Sequence, residues 1–163
     1  MSQKPKWISP IIELTSFNGD AVKYLDHLFS IFKKDFIDKP CKLDGKVIVF
    51  DKRLLNGKPE GFWHVTSSLD KRTKQRTPDM RRCERLPWIK GIIENQHDTV
   101  VLSWRNDRDG EKRLLLFLES EDFLVVLGEK KTVFILITAI YVDNPAQKAK
   151  LLKEYKAKAA PVN

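Results

Sequence analysis

The chain has 163 residues, 42% apolar and 32% charged, and its 30 Lys and Arg against 22 Asp and Glu leave a formal net charge of +8. That length is one domain's worth and can bury a core without staples, while Cys41 and Cys83, far apart and without a CxxC companion, exclude a secreted disulfide framework and a zinc ligand set. The longest apolar run, Val133 to Val142, is far short of the ~20 residues that span a bilayer, and the Lys- and Pro-rich start lacks a signal-peptide stretch, so the reading is a cytoplasmic protein with no membrane partner.

Residues 1–16, with Pro5 and Pro10, read as a lead-in arm carrying a short strand at Ile11 to Leu14. Residues 17–58 read as a helical lead-in. Asn18 or Asp20 caps a helix to about Asp38 whose stripe is Val22, Leu25, Leu28, Phe29, Phe32 and Phe36, and Pro40 ends it. Lys46 to Phe50 is a strand, followed by the turn signal Asn56-Gly57-Lys58-Pro59.

Residues 59–142 form the core of the reading. Gly61 to Ser67, GFWHVTS, is aromatic and β-branched and predicts a strand with Phe62, His64 and Thr66 on one face. After an irregular stretch, Pro78-Asp79 opens a helix with Met80, Cys83 and Leu86 inward and Arg81, Arg82 and Arg85 outward. Pro87 starts a further turn that packs Trp88, Ile89, Ile92 and Ile93. Thr99 to Trp104, Arg113 to Leu118, Phe123 to Leu127 and Thr132 to Val142 then read as a four-stranded antiparallel meander, with loops at 106–110 and 128–131. Residues 143–163 are a carboxy-terminal helix and a fraying Ala/Lys tail. The expected class is α+β, helices first and then an antiparallel sheet, in one domain.

The surplus charge is concentrated. Lys71 to Lys90 holds eight basic residues (Lys71, Arg72, Lys74, Arg76, Arg81, Arg82, Arg85, Lys90) against Asp79 and Glu84, and Lys148 to Lys158 holds five against one. Clustered cations gain affinity by releasing counterions from phosphates, so RNA is the expected partner of the first patch, together with Lys131. Motifs for nucleotide hydrolysis, dehydrogenase, zincin and α/β-hydrolase chemistry are missing. The nearest carboxylate groups, Asp122 with Glu129 and Asp107 with Asp109, fall on expected turns, where such residues face solvent, so no metal or cofactor is expected.

His64 remains, close to Thr66, Ser67 and Ser68 and followed by the arginine helix. Metal-free RNA cleavage needs a group to move the 2′-hydroxyl proton and cations for the phosphorane charge, and histidine and arginine suit those tasks. A strand histidine is more often a structural, hydrogen-bonded residue than a catalyst. Within Val133 to Val142 Thr138 and Tyr141 are the only polar side chains, and residues three apart share a site only if a bulge or the strand's end intervenes.

GFWHVTS, an arginine-rich helix leading into WIxxII, and a final strand ending in TAIYV together resemble the phage-associated branch of the barnase, EndoU, colicin tRNase and RelE-like ribonuclease superfamily, over about Gly61 to Val142. The resemblance implies a metal-independent endoribonuclease that leaves a cyclic phosphate, typically a prophage-linked toxin or effector. It implies His64 as the family's strand histidine, one of Arg81, Arg82 and Arg85 as its helical arginine, and Thr138 with Tyr141 as its terminal-strand pair; the family's second basic catalytic residue has no counterpart here. Toxic nucleases are commonly held by acidic inhibitors, which makes such a protein a further partner. The alternative reading is a non-catalytic nucleic-acid-binding or regulatory phage protein in which the basic patches hold phosphates and His64 is structural.

Overall fold

A computed structural model describes residues 4–159, so the last residues of the expected tail and the first three of the arm lie outside the described residues. The Asp20 carboxylate accepts from the Lys23 N–H at 3.1 Å and starts helix α1 (Ala21–Phe32), which continues as a π-helical turn over Lys33–Asp38. Its inward stripe is Tyr24, Leu28, Phe32 and Phe36; Val22, expected there, is 71% exposed, because two positions from Tyr24 it lies about 200° round the helix from the buried row. Tyr24 replaces it and donates its hydroxyl to the Ile12 carbonyl at 2.7 Å. The arm is anchored across the molecule by Trp7 on Asp98 and Trp88 on the Ser9 carbonyl, and the strand expected at 11–14 is not formed.

Strands β1 (Lys42–Leu43) and β2 (Lys46–Val49) form a hairpin, and β3 (Leu54–Leu55) and β4 (Lys58–Pro59) a second one around Asn56-Gly57, both at positive φ. Next comes the largest departure from expectation. Residues 60–66 are helix α2 (Glu60–Thr66), not a strand. Buried Gly61, Phe62, Val65 and Thr66 share one helical face, and Phe62 meets Phe29 and Phe32 edge-on with ring centroids 5.4 and 5.7 Å away. Burying a phenylalanine stabilises by about 1.5–3 kcal/mol, more than the whole span of strand propensity, so packing overrides the β-branched composition. A strand begins only at the last residue of the expected one, as β5 (Ser67–Leu69), which pairs with β6 (Arg76–Pro78). Helices α3 (Met80–Arg85) and α4 (Trp88–Glu94) follow, α3 capped by Asp79. Cys83 and Leu86 point inward as expected, whereas Met80 is exposed.

Strands β7 (Val101–Arg108), β8 (Glu111–Leu118), β9 (Phe123–Glu129) and β10 (Val133–Tyr141) pair in succession, all antiparallel. The sheet is nevertheless six-stranded and mixed, in the order β1-β2-β10-β9-β8-β7, because β2 runs parallel to β10 at Val133 to Ile135. A sequence-local reading does not see that partner, which lies more than eighty residues away. The expected loops are also shorter than their composition: β7 extends through Arg108 to turn at Asp109-Gly110, and Gly128 and Glu129 belong to β9.

One face of this α+β sheet packs against α1 to α4 around Leu114, Leu116, Phe123, Val125 and Leu127. The other, with Trp104, Leu115, Phe117 and Val126, is covered by α5 (Pro145–Ala159) through Leu151, Leu152 and Tyr155. Among the described residues no helix is long and apolar enough to cross a membrane.

Candidate functional site

Beyond Ile135 the edge of β10 has no strand partner, and α2 occupies it. The Thr138 hydroxyl donates to the His64 carbonyl at 2.9 Å. From α3, Arg82 donates through Nη1 to the carbonyls of His64 (3.1 Å) and Ser67 (2.7 Å) and comes within 3.4 Å of Thr138 Oγ1. The arginine thus crosses the end of α2, where the last carbonyls have no intrahelical partner and a cation is favoured. Burial lowers its pKa, with the Asp79 carboxylate opposing. Arg82 therefore belongs to the inside of the molecule, not to the outward arginine face expected for this helix.

Arg81 and Arg85 do lie together, over the Tyr141 ring at 5.1 and 4.6 Å, and Arg85 is also 5.3 Å from the centre of the Trp88 ring. Arg81 is exposed; Arg85 is mostly covered and donates to the Arg81 carbonyl and to Glu84. These are cation–π contacts. A register shift between Leu136 and Thr138 marks a bulge in β10, but it precedes Thr138, so it does not turn Thr138 and Tyr141 to one side. Thr138 meets α2 at the strand edge, and Tyr141 packs with the main core under the arginines.

Thr66 and Ser67 are buried, and each donates its hydroxyl four residues back, to the Phe62 carbonyl at 2.9 Å and the Trp63 carbonyl at 2.6 Å. Those bonds end α2 and leave neither hydroxyl facing solvent. The ring of His64 points elsewhere. Its Nε2 is 3.6 Å from Glu60 Oε2, one helical turn back, with both side chains about a quarter exposed. Burial depresses the histidine pKa below its ordinary 6.5, Arg76 adds to the effect, and Glu60 and Asp51 oppose it. The imidazole is therefore neutral at pH 7. Asp51 is held down at about 2 by hydrogen bonds from Arg53 and stays ionised throughout this range.

Glu60 also lines a groove of about 490 Å³ between the two small hairpins, with Leu55 and Asn56 on one side and Leu69, Lys74, Gln75 and Arg76 on the other. Arg76 is fixed there by donating from Nη1 to the carbonyl and the hydroxyl of Ser67, both at 3.3 Å. Lys71 and Arg72 are exposed on the β5–β6 loop, whose turn is shaped by Asp70 accepting from the Arg72 and Thr73 N–H groups. Lys90 is 4.0 Å from Glu94 on α4, and Lys131 is at the β9–β10 turn, so neither belongs to this groove. Glu129 is engaged by Arg105 and Lys46.

Glu60 is the residue that sequence reasoning passes over. The available signal is Pro59-Glu60 followed by His64 at i+4, the pattern of a helix start with a paired carboxylate, which a strand reading hides. Compared with known proteins, the chain matches no family model, no curated protein and no solved structure.

Proposed function

We propose that the protein is a metal-independent endoribonuclease whose proton-transfer group is His64, working in the groove between the hairpins with Glu60, Arg76 and Lys74. The observation that carries this reading is the His64–Glu60 pair, about a quarter exposed beside the groove that Arg76 and Lys74 line, rather than enclosed by apolar side chains. A histidine with a depressed pKa is unprotonated at neutral pH and suits the general base, which removes the proton from a ribose 2′-hydroxyl. The 2′-oxygen attacks phosphorus, the bond to the 5′-oxygen breaks with that oxygen taking a proton from solvent water, and the products are a 2′,3′-cyclic phosphate and a 5′-hydroxyl. Glu60 stabilises the imidazolium as it forms. The planar fork of Arg76 matches the charge that develops on the non-bridging oxygens. Arg81 and Arg85, stacked on Tyr141, supply a second cationic group on the same side of α3, and Thr138 and Arg82 hold the backbone of α2 that carries the histidine. A prophage-linked toxin or effector, and an acidic inhibitor as its partner, belong to the same reading.

RNA is incubated with the protein in EDTA and the ends are analysed for cyclic phosphate. His64→Gln is expected to lower the rate by about 10²- to 10⁴-fold with unchanged melting. Cleavage by the parent should decline as pH falls through a pKa below 6.5. Parent protein that binds RNA without producing cyclic ends would establish the non-catalytic reading instead.

A further inference from the structure

A second concavity lies at the opposite end of the sheet. There, where β2 begins and β7 and β9 end, a trough of about 880 Å³ collects the cations Lys46, Arg105, Lys112, Lys130, Lys131 and Lys158. Its carboxylates are Asp107 and Glu129. The six cations come from β2, β7, β8, the β9–β10 turn and α5, so no run of basic residues in the sequence announces the cluster.

Part of this charge is already spent. Glu129 receives Arg105 through Nε at 2.7 Å and Nη2 at 3.2 Å, and Lys46 is 3.8 Å from it. Lys46 also donates to the Lys130 carbonyl at 2.9 Å and stands 5.0 Å from the centre of the Phe134 ring, which fixes it in place. Lys130 pairs with Glu111. Lys112, Lys131 and Lys158 have no carboxylate within ion-pair distance among the described residues. A rigid base that remains cationic and three unspent lysines therefore face one concavity.

The lining decides which polyanion fits. Protein interfaces are built on apolar anchors at the centre of the patch. None of the large exposed apolar side chains, such as Leu54, Leu55 or Leu69, lines the trough, and its one aromatic, Trp104, is 4% exposed with Nε1 donating to Glu154. A phosphate backbone needs only the cations. From Val133, beside the trough, to Thr138, beside α2, is five residues of strand, about 17 Å at ~3.3 Å each, a distance that a few nucleotides of a single strand span.

We propose that this trough is a second, sequence-independent site for nucleic-acid phosphates, which holds the flank of an RNA whose scissile bond lies at His64. The inference rests on the ribonuclease reading for the position of the cut but not for the binding itself.

The test uses anisotropy of a fluorescent 30-mer RNA across a salt titration, and cleavage of that RNA and of a dinucleotide, with the full chain and the triple variant Lys112→Gln/Lys131→Gln/Lys158→Gln. Each lost phosphate contact removes about 0.7 from the slope of log K against log salt for a single strand, so the triple variant should lose about two in slope and roughly 100-fold in affinity for the 30-mer at 0.1 M salt. Cleavage of the dinucleotide, too short to reach the trough from His64, should be unchanged. Equal slopes for parent and variant on the 30-mer would overturn the proposal, as would equal slowing of cleavage of the 30-mer and the dinucleotide. Tight binding of polyglutamate with none of RNA would overturn it in favour of an acidic protein. If the 30-mer binds with the trough-dependent slope yet is never cut, the trough stands and the ribonuclease reading fails.

Discussion

Replacing Arg82 with methionine tests whether this side chain is a structural strap or part of the chemistry. Its Nη1 serves the carbonyls of His64 and Ser67, and a hydrogen bond from a charged donor contributes about 1.5–3 kcal/mol. Neither acceptor is orphaned by the change, because Thr138 still donates to the His64 carbonyl and Arg76 to that of Ser67. The buried Nε of Arg82 makes no hydrogen bond, so removing the guanidinium also relieves a desolvation cost. The expected loss is therefore at the low end, about 2 kcal/mol, or roughly 4–8 °C in Tm for a domain of this size. Thr138→Val by itself costs about 1 kcal/mol, since Arg82 keeps the carbonyl satisfied. Together the two changes strip the His64 carbonyl of both partners, and the double variant should lose at least about 1 kcal/mol more than the sum. Arg82→Lys should not restore stability, because an ammonium is more strongly hydrated than a guanidinium and costs more to bury at this covered position. Urea denaturation followed by circular dichroism measures the parent and all four variants. An Arg82→Met variant as stable as the parent, or strict additivity in the double variant, would refute the strap.

Because the native imidazole of His64 resists protonation, the unfolded chain takes up the proton first, and stability should fall as pH drops below about 6.5 toward the depressed native pKa; urea midpoints between about pH 5 and 8 should show this slope and His64→Gln should flatten it. A Cβ added at Gly61 would meet the Phe50 Cβ at 2.7 Å, so Gly61→Ala should destabilise by about 1–3 kcal/mol through overpacking, read as a lower Tm, and an unchanged Tm would mean that α2 is less tightly seated than described. Both cysteines are buried, with burial pushing Cys41 up to about 11 and Cys83 up to about 12, so a disulfide reagent at pH 8 should label neither until the protein is unfolded in urea.

Several elements follow from local chemistry and were legible in the chain alone. The Asp20 cap and apolar stripe specify α1, Asn56-Gly57 and Asp109-Gly110 specify hairpin turns, and Pro145 opens the last helix, because capping, turn geometry and periodicity act between residues a few positions apart. The α+β class came from the same local signals. The clustering of charge between Lys71 and Lys90 was also plain, but not its division. Arg82 turns inward to the backbone of α2, Arg81 and Arg85 stack on Tyr141, and Arg76 reaches the groove, each according to which acceptor or ring its place in the fold brings near.

The state of residues 60–66 was settled only by tertiary packing. Their β-branched and aromatic side chains favour a strand, yet a helix lets Phe62 and Val65 enter the aromatic core on one face and brings Gly61 against Phe50. With the helix comes the pairing of His64 and Glu60, since i and i+4 are neighbours on a helix, whereas on a strand they would be about 13 Å apart. The parallel joining of β2 to β10 and the basic trough are of the same kind. Each depends on side chains brought together from distant parts of the chain, and long-range burial, which no local propensity encodes, decides them.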